Sequence, residues 1–319
     1  MRLISKNLSI IYLINILVFT SSLGLQAQNV RFYDKNFKNA LIKSGIDLNN
    51  DGEIQLSEAS IVDSMNIYGL KLFSLKGIES FTTLRYINCG SNNLDSLDLS
   101  QNQSLRYLDC SFNQLRSLNI GVKPKLSMVI CSNNNIPELD ITKCDSLVYL
   151  NCQRNEIKSL DISLNRNILK LECNINSMSN LILGDNPFLY FLGCDHNKLI
   201  NLNLSKCYRL YYLYCNSNQL IELDLTKNLK LSEANFWLNN LKFICVNSNQ
   251  RYNSWSKDDN TTWNLQCTAS INNIAKPDSE FKLIGIYNLL GQKMDNDNLK
   301  KGIYIYRYSN GEFVRKFIN

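Results

Sequence analysis

The sequence predicts a repeat solenoid, a stack of short coils with a parallel β-sheet along one face. Seven cysteines recur at a fixed interval of 21 residues: Cys89, Cys110, Cys131, Cys152, Cys173, Cys194 and Cys215. Phe236 takes the eighth place in the same register. An asparagine follows each of these eight residues by three positions: Asn92, Asn113, Asn134, Asn155, Asn176, Asn197, Asn218 and Asn239. A fixed period of this length is the signature of stacked structural repeats.

Each unit reads L-x-x-L-x-C-x-x-N-x-L-x-x-L-x-L and ends in five looser residues, and eight units span residues 84–246. The pattern resembles the leucine-rich repeat, with cysteine at its third apolar place. One unit cannot bury its own apolar row, so neighbouring coils must bury it together. The L-x-C segment predicts a short strand, stacked at about 4.8 Å per coil. The asparagine is expected to bind backbone groups where the strand turns.

Residues 1–27 have the features of a secretory signal peptide. Arg2 and Lys6 precede an apolar run over residues 8–19, and small residues lead to Ala27. The alternative is an uncleaved membrane anchor, which the shortness of the apolar run disfavours. We therefore expect a secreted or outer-cell-surface protein with no transmembrane span in the mature chain.

The charge distribution gives no sign of a nucleic-acid partner. The chain carries a formal net charge of +6, of which Arg2 and Lys6 contribute two. Residues 281–319 hold seven Lys or Arg and three Asp or Glu, which accounts for the remaining four. The repeats are therefore near neutral and lack the basic surface that binds phosphates.

A candidate calcium loop lies in residues 47–58. Oxygen-bearing residues stand at the ligand places of an EF-hand loop: Asp47, Asn49, Asp51, Glu53 through its carbonyl, Gln55 and Glu58. Gly52 stands at the place of the sharp turn. The residues before the loop have helical spacing, and a second helix is predicted over residues 57–65. We therefore expect residues 28–83 to form an α-helical N-terminal cap followed by an irregular first coil. The alternative is a polar turn that caps a helix and binds no Ca²⁺.

The lead-in over residues 77–84 resembles that of internalin-like bacterial leucine-rich repeat proteins. That resemblance implies that the helical segment before it covers the open end of the repeat core.

The cysteines divide into two groups. The seven in register are predicted to be small buried hydrophobic residues. Cys144 and Cys207 stand at a place that asparagine occupies in other units, three coils apart and too far to pair. Cys245 and Cys267 lie off the register, and we predict that one disulfide joins them and closes a C-terminal cap over residues 247–268. The alternative is two free thiols.

A linker is predicted over residues 269–280 and a small all-β domain over residues 281–319. The stretches I-Y-N-L-L-G-Q and L-K-K-G-I-Y-I-Y, from residues 286 and 299, precede a basic end. They resemble the C-terminal sorting domain of type IX secretion substrates, without its usual Asn-Pro opening. The resemblance implies the type IX secretion machinery as a partner and passage through the outer membrane. An ordinary small β-domain is the alternative.

Aromatic residues are predicted to gather on the outward face of the strands, because they alternate with the buried leucines. They are Tyr86, Tyr107, Tyr149, Tyr190, Phe191, Tyr211, Tyr212 and Tyr214. Exposed aromatic residues on one face favour binding of an extracellular protein or glycan, above all at the cluster of Tyr190, Tyr211, Tyr212 and Tyr214. The alternative is that the rings stack on one another and only stabilise the sheet.

The predicted function is that of a secreted or cell-surface interaction protein in adhesion, with calcium stabilising its cap. No enzyme is expected, because the chain has a single histidine, His196, and no nucleophile elbow or phosphate loop. A surface hydrolase and a purely structural envelope protein are the alternatives.

Overall fold

The computed structural model describes residues 28–250, 252–265, 267, 283–287, 293–294, 299, 302–308 and 313–318. The chain divides into two compact units, Met1–Gln266 and Cys267–Asn319. The predicted signal peptide and linker lie outside the described residues. No helix in the described part of the chain has the length and apolar character needed to cross a bilayer.

The first unit is a solenoid whose front is a nine-stranded parallel sheet. Its strands, in spatial order, are β1 (Ser64–Asn66), β2 (Tyr86–Asn88), β4 (Tyr107–Asp109), β6 (Met128–Ile130), β7 (Tyr149–Asn151), β9 (Lys170–Glu172), β11 (Phe191–Gly193), β12 (Tyr212–Tyr214) and β14 (Glu233–Asn235). From β2 onward, each residue pairs with the residue 21 positions later, as Tyr86 does with Tyr107. The predicted parallel β-solenoid is therefore confirmed.

Shorter strands form the back of most coils, and the third and sixth coils have none. The back strands are β3 (Ser96–Asp98) paired with β5 (Ser117–Asn119), β8 (Ser159–Asp161) paired with β10 (Asn180–Ile182), and the sheet of β13 (Leu223–Asp224), β15 (Phe243–Cys245) and β16 (Thr262–Asn264). The third coil has no strand at residues 137–141. Pro137 has no N–H group to donate, so it interrupts the hydrogen bonds between neighbouring coils at this point.

The core contains the predicted column of cysteines. All seven cysteines in register and Phe236 are fully buried. These seven, together with Cys144 and Cys207, are free thiols. Burial raises the pKa of the Cys131 thiol to about 12. The seven cysteines therefore act as neutral space-filling side chains, as their spacing predicts.

The asparagines bind backbone groups in adjacent coils. In the fourth coil, the side-chain amide of Asn155 donates to the carbonyl oxygens of Cys131 at 3.0 Å and Cys152 at 3.1 Å. Its Oδ1 accepts the N–H of Ile136 at 3.0 Å. One side chain thus links backbone groups of two neighbouring coils and supplies the acceptor for the buried N–H of Ile136.

The N-terminal region contains two short helices, α1 (Lys35–Lys43) and α2 (Leu56–Ala59). The predicted second helix over residues 57–65 is longer than the observed one, because β1 joins the sheet from Ser64. Asp34 caps α1 by accepting the N–H of Asn36, and its other oxygen accepts the N–H of Phe73 at 2.8 Å. This buried carboxylate connects α1 to the irregular coil that precedes the eight repeats.

The second unit contains four antiparallel strands: β17 (Leu283–Tyr287), β18 (Lys293–Met294), β19 (Gly302–Tyr308) and β20 (Phe313–Ile318). Their spatial order is β18-β17-β19-β20. The longest pairing joins β19 to β20, from Gly302 opposite Ile318 to Arg307 opposite Phe313. These strands occupy the range predicted as a small β-domain.

Candidate functional site

The outward places of the front sheet carry the aromatic residues. Each strand buries its central residue, and most strands leave both flanking residues partly accessible, as in β12, where Leu213 is buried between Tyr212 and Tyr214. Parallel pairing in register then puts the flanking side chains of successive coils beside one another. A row of outward residues spaced 21 apart in sequence therefore becomes a continuous surface.

Five of the eight predicted face residues form one group, called here the aromatic cluster: Tyr190, Phe191, Tyr211, Tyr212 and Tyr214. The Tyr190 and Tyr211 rings stack with centroids 5.3 Å apart. The Tyr211 and Tyr212 rings meet edge to face at 4.8 Å, and Phe191 lies 5.6 Å from Tyr214. Tyr190 is 45% exposed. The cluster is therefore a connected surface of rings that solvent reaches.

The other three predicted face residues lie apart from the cluster. Tyr86 and Tyr107 stack on each other with centroids 4.4 Å apart and planes 13° from parallel. Tyr149 donates its hydroxyl to Glu172 instead. The structure therefore brings together five of the eight residues and leaves a stacked pair and a single tyrosine elsewhere on the sheet.

Charged groups accompany the rings at two places. Lys170 Nζ lies over the Tyr149 ring at 5.2 Å and the Phe191 ring at 4.9 Å, and is 3.1 Å from Glu172 Oε1. Two coils further along, the Tyr214 hydroxyl donates to Glu233 Oε1. That hydrogen bond, followed by burial, raises the pKa of Tyr214 to about 12, so its hydroxyl stays protonated at neutral pH.

The single histidine lies on the turn that follows β11. His196 Nδ1 is 2.8 Å from Asp195 Oδ2, and the ring is exposed. His196 has a positive φ of 53°. The residues at the same place in the other seven coils also have a positive φ: Ser91, Phe112, Asn133, Arg154, Ile175, Ser217 and Leu238. Its position thus follows from the repeat. The structure shows no hydroxyl or thiol of a described residue hydrogen-bonded to this imidazole.

The candidate calcium loop is a compact turn. Asp47 accepts the N–H groups of Asp51 at 3.2 Å and Gly52 at 2.9 Å. Both oxygens of Glu58 accept N–H groups, from Leu48 at 2.7 Å and Gln55 at 2.8 Å. Among the described residues, no three acidic, histidine or cysteine side chains converge closely enough to hold a metal ion.

Other features of the loop suit the predicted donor set. Gly52 has a φ of 82° and Ile54 is fully buried. Asn49 Oδ1 and Asp51 Oδ1 each accept a backbone N–H from within the loop, from Asp51 at 3.0 Å and Glu53 at 2.8 Å. The six predicted ligands all present oxygen atoms, the donor type that Ca²⁺ takes.

The C-terminal end of the repeats is closed by aromatic residues. Trp255 and Trp263 pack at 6.1 Å from each other, and Trp255 packs at 6.1 Å against Phe236 of the last coil. Cys245 and Cys267, predicted to pair, are both disulfide-bonded.

Two features of the repeat escaped the sequence interpretation. Lys123 is fully buried at the place that asparagine, Cys144 or Cys207 fills in other coils, and its Nζ donates to the Ser100 carbonyl at 3.2 Å. Glu172 completes the ion pair with Lys170 on the sheet face. The 21-residue register already places Lys123 in the asparagine column, and reading that column would have found it.

The comparisons with solved structures concern the fold. The functional domain of InlJ from Listeria monocytogenes, described as including a cysteine ladder, is 25% identical over 74% of this chain and 63% of that one, with a TM-score of 0.54. The leucine-rich repeat domain of APL1B is 16% identical over 80% of this chain and 73% of that one, with a TM-score of 0.54. An internalin, InlF, from the same Listeria species is 17% identical over 76% of this chain and 98% of that one, with a TM-score of 0.40.

No family model matches the chain, and no curated protein matches it. The chain spans less than two thirds of the InlJ domain's length. Its structural neighbours are leucine-rich repeat proteins, among them internalins, and the fold of its repeat region is the leucine-rich repeat solenoid.

Proposed function

We propose that this chain is a secreted or cell-surface interaction protein, and that the aromatic cluster is where its protein or glycan ligand binds. The observation that carries the proposal is the contact of five rings on one sheet face, with Tyr190 45% exposed. Rings that bury area at little cost in conformational entropy are the common anchors of binding surfaces. The likeness of the fold to leucine-rich repeat proteins supports an interaction role.

A binding screen against extracellular proteins and glycans tests the proposal. The test variant is Tyr211→Ala with Tyr212→Ala, which removes two touching rings of the cluster. The matched control is Tyr86→Ala with Tyr107→Ala, which removes another pair of rings in contact, elsewhere on the same sheet. We expect the first variant to lose at least tenfold in affinity for the ligand and the control to keep it. Equal loss in both would mean that the rings only stabilise the sheet.

Calcium binding at residues 47–58 is a second part of the proposal. Asp47, Asn49, Asp51 and Glu58 would supply side-chain oxygens, Glu53 its carbonyl, and Gln55 an amide oxygen. Ca²⁺ would add the attraction of a divalent cation to a turn that hydrogen bonds already shape. We expect chelation to lower the melting temperature of the mature protein, and Asp51→Ala to abolish that difference. An identical melting temperature with and without chelator would remove calcium from the proposal.

Export by type IX secretion is the third part. The antiparallel strands β17, β19 and β20 lie in the range whose motifs resemble a sorting domain. Deletion of residues 281–319 should then retain the protein inside the cell envelope, as fractionation and surface labelling would show. Normal surface display of the shortened chain would contradict this part alone.

The same screen separates the alternatives. Turnover of a glycan or peptide that disappears in His196→Ala would favour a surface hydrolase. A complete lack of ligands would favour a structural envelope component.

A further inference from the structure

The face of the fifth coil holds a cation between aromatic rings and a carboxylate. Lys170 Nζ lies 4.9 and 5.2 Å from the centroids of the Phe191 and Tyr149 rings and 3.1 Å from Glu172 Oε1. Aromatic faces attract cations through the ring quadrupole, and a neighbouring carboxylate adds a charge-assisted hydrogen bond. The chain thus shows on its own surface how this sheet binds an ammonium group.

The seventh and eighth coils repeat the aromatic and acidic parts of this arrangement. Tyr214 donates its hydroxyl to one oxygen of Glu233, and Tyr212 is its neighbour on the same strand. The ion pairs found among the described residues do not include Glu233. Glu233 is exposed, so its second oxygen can meet a group from solution.

The outward places of the three strands β11, β12 and β14 carry charge of one sign only. The outward places of β11, β12 and β14 are Phe191, Gly193, Tyr212, Tyr214, Glu233 and Asn235. They include one carboxylate and no lysine or arginine. Asp195 follows β11 and adds a second acid. Arg209, which lies in the turn before β12, is the arginine nearest to Tyr212 in the sequence. Its guanidinium lies over the Phe188 ring at 5.2 Å. This part of the face is therefore complementary to a positive charge.

We infer that the surface formed by Tyr212, Tyr214 and Glu233 takes a lysine or arginine side chain of a protein partner. The inference rests on the proposed function, because it specifies what the aromatic cluster recognises. The cation would lie over the tyrosine rings and donate to the free oxygen of Glu233, in the manner of Lys170 at Glu172. Arginine suits the place best, since its planar group both stacks on rings and donates to a carboxylate.

A peptide pair tests the inference directly. One peptide carries a central arginine in a Gly-Ser background, and the other carries citrulline, which keeps the shape and removes the charge. Titration of each into the mature protein, followed by nuclear magnetic resonance or calorimetry, gives the two affinities. We expect the arginine peptide to bind at least tenfold more tightly than the citrulline peptide at low salt. Equal affinities, or no binding of the arginine peptide, would overturn the inference.

Two variants locate the binding. Glu233→Gln should lower the affinity for the arginine peptide about tenfold, to the level of the citrulline peptide. Glu222→Gln is the matched control, because Glu222 is an exposed acid in the turn before β13 on the back of the solenoid. An equal loss in the two variants would show that only net charge matters. Equal urea midpoints for both variants and the parent confirm that the fold is unchanged.

The inference and the proposed function can fail separately. A ligand that needs Tyr211 and Tyr212 but binds Glu233→Gln as tightly as the parent would leave the proposed function standing and overturn the inference. Arginine-peptide binding that Glu233→Gln abolishes, in a protein with no ligand in the wider screen, would support the inference and contradict an adhesive function.

Discussion

Two asparagines of the fourth coil allow the contribution of the repeat's side-chain hydrogen bonds to be measured. Asn155 and Asn165 are both buried and stand ten positions apart in one coil. Asn155 donates to three carbonyls and accepts the N–H of Ile136. Asn165 donates to the carbonyls of Ile141 and Cys144, each at 2.9 Å. Its Oδ1 accepts no hydrogen bond from any described residue. Both side chains therefore donate to backbone carbonyls, but only the Oδ1 of Asn155 also accepts a hydrogen bond.

This difference sets the expected costs of the alanine variants. Asn155→Ala removes hydrogen bonds to carbonyls that keep other partners, and it leaves the buried N–H of Ile136 unpaired. The stranded donor accounts for most of the cost, so we expect a loss of about 2–4 kcal/mol. Asn165→Ala removes two hydrogen bonds to carbonyls that keep backbone partners, and it also removes an oxygen that was already unpaired. The two contributions partly cancel, and we expect a loss of about 1 kcal/mol.

Equilibrium unfolding in urea, followed by circular dichroism, measures both losses. With a slope of about 2–3 kcal/mol/M, the two variants should differ by about 1 M in midpoint, with Asn155→Ala the less stable. Equal losses would refute the reasoning, because they would mean that Asn165 Oδ1 has a hydrogen-bond partner of the same worth. Asn186 and Asn228 have the same unpaired oxygen and offer independent repeats of the test.

Three further predictions concern other parts of the fold. Ile175 is a β-branched residue at a φ of 54°, so Ile175→Gly should stabilise the protein by about 1 kcal/mol in urea unfolding, whereas Asn133→Gly at the same place should change little. Asp34→Ala should cost about 2–4 kcal/mol, because its carboxylate accepts N–H groups from both α1 and the first coil; a loss below 0.5 kcal/mol, on the scale of an ordinary surface change, would contradict that role. Burial raises the pKa of Cys131 to about 12 from an ordinary value of 9.0, so the unfolded chain releases this proton first. The stability this thiol contributes is complete below pH 9 and falls as the pH rises from 9 to 12; Cys131→Ala should flatten that fall, and an unchanged slope would contradict it.

The period of the sequence predicted most of the solenoid. Each in-register cysteine lies in the core because a residue that recurs every 21 positions must face the same environment in each coil. The 21-residue period did not predict two local departures from the regular repeat. Pro137 interrupts the back strands, and β1 begins at Ser64, inside the range where a helix over residues 57–65 was expected. Both departures come from pairing between coils, which a helical pattern within one segment does not report.

The sequence predicted the residues of the candidate site and favoured Tyr190, Tyr211, Tyr212 and Tyr214 as one cluster, but periodicity alone does not explain the grouping. Periodicity assigns Tyr86 and Tyr212 to the same place in their units. Tyr86 nevertheless stacks on a single neighbour, whereas Tyr212 is one of the five rings of the aromatic cluster. The difference comes from the residues beside them, since Tyr190 and Tyr211 widen the surface only at the sixth and seventh coils. Core places repeat because every coil must fill the same space. Outward places are free of that requirement, so the filling of the core does not dictate a local concentration of rings and a carboxylate there. The arginine-peptide titration tests whether this local surface binds a positive charge.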